Sequence, residues 1–457
     1  MQTPVAFDSL KMVAESIGLK DGNLAVPPWL RLLAPCVVAI TGWISLNPYF
    51  FWGSPRALFL ASVATALVGL ISFLYGARPQ GRLELGGVAI LSVFLVYITI
   101  LPKTDGGHIK WIFVLPTLWA LALMDQSQRT RCLDIFSAIF ALTLLPGVIV
   151  SVLVIGGVPI TFDGNITMPV VGSQLLRLPG VHFIATNSVV LPWGGVIFRM
   201  CAMYDEPNSV GSVAALLLAA HAYRLDNWRT HILYVAGLLS FSLGFIVLTV
   251  MGLAVSAVAL KSLYRKLIAM SATIPLIVAA LLVTNVWDLK VPYGAPSSVS
   301  IRSASGREAK AFVASEDFGR HLRQMQSLDN RTTPQMTALL ERYAHSGWRT
   351  LLFGVASNAS VAEGNISQTW KRIFTDSGIV GFVLFFGSIC SLAWSGWRRA
   401  NNSWSAALLL ALFCISIYQR PVVWMPYALL ILLCAPAMLA KPAGGAANIC
   451  SPIRDRT

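Results

Sequence analysis

Residues 199–213, RMCAMYDEPNSVGSV, set Arg199, Asp205 and Glu206 against the apolar run 214–220. The chain otherwise keeps charge away from its apolar segments, so three ionisable groups at the lip of one need a reason. Arg199 and Glu206 are seven apart and would share a helical face, but Pro207 favours a break after Glu206. Asp205 is a candidate N-cap, with Pro207 tolerated in the first helical turn. On the plainest view the two carboxylates cap the positive end of a helix and Arg199 snorkels to lipid headgroups. Two further stretches bear on a functional alternative. Ser327-Leu-Asp-Asn-Arg331 leads through a helix predicted over 333–343 to Arg349-Thr-Leu-Leu-Phe-Gly354. Ser367-Gln-Thr-Trp-Lys-Arg-Ile-Phe-Thr-Asp376-Ser-Gly378-Ile-Val-Gly381 opens a late apolar run. Each has a bland counterpart: Arg331 as a solvated loop charge, Trp370 as the anchor of an interfacial helix.

The elements that must position these residues are membrane helices. Of 457 residues, 56% are hydrophobic and 12% charged, and the mean hydropathy is +0.69. Soluble domains usually carry about 25% charged residues. The apolar runs recur along the chain and reach the ~20 residues that cross a bilayer as helix. The chain therefore reads as an all-α polytopic membrane protein. Candidate spans are 32–52, 57–76, 83–101, 109–124, 133–155, 209–223, 230–245, 246–262, 267–286, 378–397, 404–418 and 422–440. The stretch 230–262 is long for one crossing and short for two, and Ser240-Phe-Ser242-Leu-Gly244 predicts a break in its middle. The first 30 residues lack a basic-then-apolar leader pattern, so the first apolar run is expected to be a retained span. The seven cysteines include no Cys-x-x-Cys pair, which suggests neither a metal site nor a disulfide framework. The net charge of +14 comes with no nucleic-acid-binding motif and is explained by basic cytoplasmic loops.

Charge asymmetry orients the spans. With the N-terminus inside and two passes through 230–262, inner loops receive Arg78/Arg82, Arg129/Arg131, Arg224/Arg229, Lys261/Arg265/Lys266 and Arg398/Arg399. A single pass would put Arg398-Arg399 outside. The expected organisation is a cytoplasmic segment 1–31, spans in 32–155, an outer loop 156–208, spans in 209–286, an outer loop 287–377, spans in 378–440 and a cytoplasmic tail 441–457, about twelve spans in all. Both outer loops are expected to contain short helices. The spans are nearly free of ionisable residues, with His221 and Glu84 near span ends, so chemistry is expected at the outer face.

Taken in chain order, Arg199 with Glu206-Pro207-Asn208 entering a middle span, an Arg-bearing outer loop (Arg331) followed by Leu352-Phe353-Gly354, and Gly378-Ile-Val-Gly381 opening a late span carry a pattern. It resembles the O-antigen polymerase (Wzy-type) and O-antigen ligase superfamily of membrane glycosyltransferases, GT-C-like in plan, over roughly residues 130–400. The resemblance implies an enzyme of polysaccharide or lipopolysaccharide biosynthesis in the bacterial inner membrane, with its active site facing the periplasm. The donor would be a glycan on undecaprenyl pyrophosphate. The acceptor would be a lipid-linked repeat unit for a polymerase, or lipid A-core for a ligase, with a chain-length regulator as a candidate partner. The resemblance assigns the pyrophosphate to Arg199 and Arg331, with Arg177 a third, accompanied by Tyr204 and Asn208 as glycan or pyrophosphate contacts. No cofactor, metal or nucleic acid is implied, and no Asp-x-Asp pair occurs in either outer loop.

A base must take the proton of the attacking hydroxyl. Glu206 is the first candidate, with His345 and Glu363 behind it. Where ligases carry a His-Asn pair before the late Gly-rich span, this chain has Ser367-Gln368, which favours a polymerase. Against the enzyme classes stands a lipid-linked oligosaccharide flippase or transporter. It would be expected to line a cavity between spans with cations.

Overall fold

The computed structural model describes residues 27–52, 54–101, 109–161, 164–167, 174–178, 181–190, 196–225, 227–259, 301–302, 308–309, 334–356, 359, 369–399, 403–419 and 424–440. Helices dominate. The first group is α1 (Pro28–Ile44), α2 (Pro55–Leu74), α3 (Arg82–Ile100), α4 (Leu115–Leu123) and α5 (Gln126–Ile155). The second is α6 (Pro207–Ala220), α7 (Trp228–Leu239) and α8 (Leu243–Ala259). Two short helices, α9 (Pro334–Ala344) and α10 (Trp348–Phe353), precede α11 (Thr369–Arg399), α12 (Ser403–Gln419) and α13 (Pro426–Leu439). Their starts are written locally. Proline stands in the first turn of α1, α2, α4, α6 and α13, where its missing N–H has no helical partner to lose. α5 opens with a capping box: Gln128 N–H donates to Asp125 Oδ1 at 2.8 Å, and Asp125 N–H donates to Gln128 Oε1 at 3.0 Å.

Among the described residues, four helices are long and apolar enough to cross a membrane: Arg56–Leu74, Arg82–Ile100, Gln126–Ile155 and Thr369–Arg399. Large apolar side chains along them stay uncovered, among them Phe59, Leu67, Val93, Leu142, Ile149 and Val383. Such surfaces suit lipid and would be a liability in water. The protein is thus a mostly helical membrane protein. The expected break in 230–262 is present: α7 ends before Ser240, α8 starts at Leu243, and Phe241 between them has φ 46°. The expected span 267–286 lies outside the described residues.

The segment 156–208, expected as the first outer loop, departs from expectation. Instead of short helices, its described residues form an antiparallel meander, β1 (Gly164–Thr167), β2 (Gln174–Leu178), β3 (Val181–Val190) and β4 (Val196–Ala202), in the order β1-β2-β3-β4. The physical reason is β-branched and aromatic residues in quick succession, with Leu178 paired to Val181 so that only Pro179-Gly180 lie between β2 and β3. A two-residue pair, β5 (Ile301–Arg302) with β6 (Glu308–Ala309), is the other strand pairing among the described residues.

The two ends of the helical body differ chemically. At one end, Glu84 at the start of α3 is ion-paired to Arg129 of α5 and to Arg399 at the end of α11. Arg129 also donates to the carbonyls of Leu121 and Ala122, and Arg229 of α7 pairs with Asp134 at 3.2 Å. At the opposite end, Tyr427 N–H opening α13 donates to Ser45 Oγ just past α1 at 3.0 Å. Tyr49 N–H donates to Met203 O at 2.7 Å, and Tyr97 near the end of α3 donates to Ser377 O at 2.9 Å. The sheet and the α9–α10 segment therefore share one end, opposite the Glu84 network. Replacing Glu84 by Ala would strand a buried guanidinium. It is expected to lower stability by about 3–5 kcal/mol, measured by denaturant unfolding of the detergent-solubilised protein. Arg399→Ala should cost clearly less, because that side chain is 33% exposed and its pairing is screened.

Candidate functional site

β4 is seated on α5 where Pro146-Gly147 interrupts the helix surface. A Cβ at Gly147 would stand 2.8 Å from Met200 Sδ and 3.0 Å from Ala202 Cβ, so only glycine admits the strand so closely. Met200 and its cross-strand partner Phe183 are buried on this bundle-facing side. Behind the strand, Tyr204 is fully buried; its hydroxyl is 2.5 Å from Thr143 Oγ1 and accepts from Trp43 Nε1 at 3.2 Å. Burial pushes the Tyr204 phenol well up, so it stays protonated.

The opposite face of the sheet carries the chemistry. Arg177 pairs with His182 and Ile184 pairs with Arg199. Residues two apart on β3 point the same way, so Arg177, His182 and Arg199 share this face. A register shift beside His182, with Ala202 at φ 50°, lets β4 continue past it. His182 is fully buried. Its Nδ1 lies 3.2 Å from Ala202 O. A carbonyl only accepts, so Nδ1 carries the proton and Nε2 keeps the lone pair. Tyr49 and Trp52 cover the ring at centroid distances of 4.7 and 5.4 Å, and the Arg177 guanidinium lies over Tyr49 at 5.3 Å.

Three nitrogens on this face, Arg177 Nε, His182 Nε2 and Arg199 Nε, are buried and have no hydrogen-bond partner among the described residues. Leaving such groups unsatisfied costs about 1–3 kcal/mol each. Clustering three of them is the mark of a site awaiting a ligand rather than of a packed core. Burial, reinforced by the Arg177 charge, lowers the His182 pKa to about 4, so the ring is neutral at neutral pH. Burial also lowers Arg199, opposed in part by the charge of Glu206. Guanidinium keeps its proton regardless.

Of the residues expected at a site, Arg199, Arg177 and Glu206 come together. Glu206, not Asp205, holds the N-cap position of α6, because the helix starts at Pro207 and the residue before proline is extended, here at φ −141°. The Glu206 side chain makes no cap bond, whereas Asp205 Oδ1 accepts from Ser209 Oγ at 3.4 Å. Tyr204 and Asn208 were expected to touch substrate, but their polar groups are engaged within the fold. Asn208 Oδ1 accepts from Ser242 Oγ at 2.8 Å and Ser212 Oγ at 3.4 Å, tying α6 to the break between α7 and α8. His345 is exposed just past α9, with Nδ1 2.8 Å from Glu341 O. Arg331 and Glu363 lie outside the described residues.

Around the start of α11, two of the motifs meet. Gly378, at φ 67°, breaks α11 and packs against the backbone of Leu352 and Gly354, where any Cβ would collide. Val355 N–H donates to Thr375 O at 2.9 Å, and Tyr97 bridges Phe353 O and Ser377 O at 3.0 and 2.9 Å. Lys371 and Arg372 are buried at the start of α11. His182 was missed, although Pro179-Gly180 between two apolar runs is a hairpin signal that would have set it opposite Arg177. No protein-family model, curated protein or solved structure matches the chain.

The depressed His182 pKa has a definite consequence for stability. An unfolded chain takes up this proton near pH 6.5, the folded one only near 4, so the His182 contribution is complete above about pH 6.5 and lost as pH falls to about 4. Melting temperature should fall across that window, and the fall should be shallower in His182→Asn. Equal slopes in the two proteins would remove this assignment.

Proposed function

We propose that the protein is an O-antigen-type polysaccharide polymerase. It transfers a growing glycan from undecaprenyl pyrophosphate to a lipid-linked repeat unit at the periplasmic face of the bacterial inner membrane. The observation that carries this function is the shared sheet face on which Arg177 and Arg199 hold buried, unused Nε–H donors. A pyrophosphate leaving group gains negative charge as the glycosidic bond breaks, and guanidinium forks match its oxygens. One preorganised donor of this kind elsewhere is worth roughly 3–4 kcal/mol of barrier. Glu206 faces Arg199 and balances its charge when no ligand is bound.

Depth fits a lipid carrier. α6 has 14 residues, all buried, and is about 21 Å long, short of the ~30 Å hydrocarbon core. Its N-terminal end, with the positive half of the helix dipole, is therefore recessed into the body beside Arg199 and Glu206. The cationic end marked by Arg129, Arg229 and Arg399 suits the cytoplasmic side, which puts the sheet outside. A twelve-span plan with both termini cytoplasmic follows, with Arg331 reaching the carrier from the second outer loop.

In a strain lacking the protein, complementation with Arg199→Ala, Arg177→Ala or Arg331→Ala is expected to give core plus single repeat units, with no long chains and normal protein level. A full-length ladder from all three variants would dismiss the arginine mechanism. Bare core with long polymer accumulating on the carrier would instead indicate a ligase. For topology, cysteines introduced near 305 and 325 should react with an impermeant reagent in intact cells, and one near 400 should not. The reverse pattern would invert the protein.

A further inference from the structure

We propose that His182 is the proton acceptor of the transfer reaction, receiving the proton of the attacking sugar hydroxyl at Nε2. This rests on the polymerase function proposed above. The unsatisfied groups on the sheet face are of two kinds: the Nε–H of Arg177 and of Arg199 can only donate, while His182 Nε2, with its partner nitrogen committed to Ala202 O, can only accept. A phosphate alone satisfies the donors and leaves Nε2 facing another acceptor. A phosphate oxygen together with a hydroxyl satisfies all three. That pair is what a glycosyl transfer brings together, a diphosphate leaving group and an alcohol nucleophile.

The other candidate bases are less suited. Glu206 is set against the Arg199 charge, and protonating it would undo that compensation. His345 is exposed and bound through Nδ1 to its own helix. The ring of His182, by contrast, is held by a carbonyl, which fixes its orientation and tautomer as a base requires. The groups set against it are Arg177 from β2, Tyr49 and Trp52 from the turn after α1, and the Ala202 carbonyl of β4, with Arg199 on the same face of the sheet. The covering turn, Tyr49–Phe51, has no buried residue of its own, so displacing it to admit a hydroxyl costs little packing.

In the step, the acceptor oxygen forms a bond to the anomeric carbon of the donor. The bond from that carbon to the phosphate oxygen breaks, and its electron pair leaves with the carrier pyrophosphate. The hydroxyl proton moves to Nε2 of His182. The resulting imidazolium lies beside the Arg177 charge, which favours passing the proton on to water once the pyrophosphate departs.

The test uses purified protein in detergent with lipid-linked repeat units, following elongation rate against pH, and inorganic pyrophosphate binding by calorimetry. His182→Asn keeps a donor for Ala202 O and removes the base. His182→Gln places an amide oxygen near the Nε2 position without basicity. Both are expected to lose at least about 100-fold in elongation rate, with pyrophosphate affinity and melting temperature at neutral pH close to wild type. The acid limb of the wild-type rate profile is expected to disappear from the residual activity. Wild-type elongation by either variant, or parallel loss of elongation and pyrophosphate binding, would overturn the assignment. A wild-type protein that neither binds pyrophosphate nor elongates would overturn the polymerase function itself, and the assignment with it.

Discussion

A strand lying directly on a helix at Gly147 is the contact on which the site depends. Met200 and Ala202 fill the space a side chain would take, and Phe183 packs beside them. Once β4 is fixed there, Tyr204 meets Thr143 and Trp43, and the chain has only Asp205 and Glu206 left before Pro207 starts α6. Arg199 and Glu206 are therefore held by the sheet on one side and by a wholly buried helix on the other. Neither depends on a loose loop for its position.

The chain treats its buried cations in two ways, and the contrast separates structure from function. Arg129 and Arg399 are saturated: Glu84 takes both, and carbonyls of Leu121, Ala122, Gln80 and Ser395 accept further donors. That network closes the ends of α3, α5 and α11 and has little capacity left for a ligand. On the outer face of the sheet the same residue type keeps Nε–H groups without partners, next to an imidazole nitrogen in the same condition. Guanidinium is thus fully paired within the fold at one end and keeps unpaired Nε–H groups at the other.

The second outer segment is tied to the body by backbone contact rather than by charge. Gly354 and Gly378 allow two chain segments to touch, and the Tyr97 hydroxyl sits between their carbonyls. Since Tyr97 lies on α3 far from Glu84, this contact brings α10 and the start of α11 to the end of the body that carries the sheet. Two segments separated by more than a hundred residues thus lie at the same end of the body.

Much of the helical plan was legible in the sequence. Apolar run length, proline in first turns, the Asp125–Gln128 box and the break at Ser240–Ser242 are local features, and local features survive in a linear text. The membrane character and the distribution of Arg129, Arg229 and Arg399 follow from composition for the same reason. The sheet was hidden because its strands, four to ten residues long, carry no sustained alternation of apolar and polar side chains. The partnership of Arg177, His182 and Arg199, and the diversion of Tyr204 and Asn208 into the fold, were decided only by tertiary structure. Which side chains share a face depends on strand register and on what covers that face, and both are set by contacts between residues far apart in the chain.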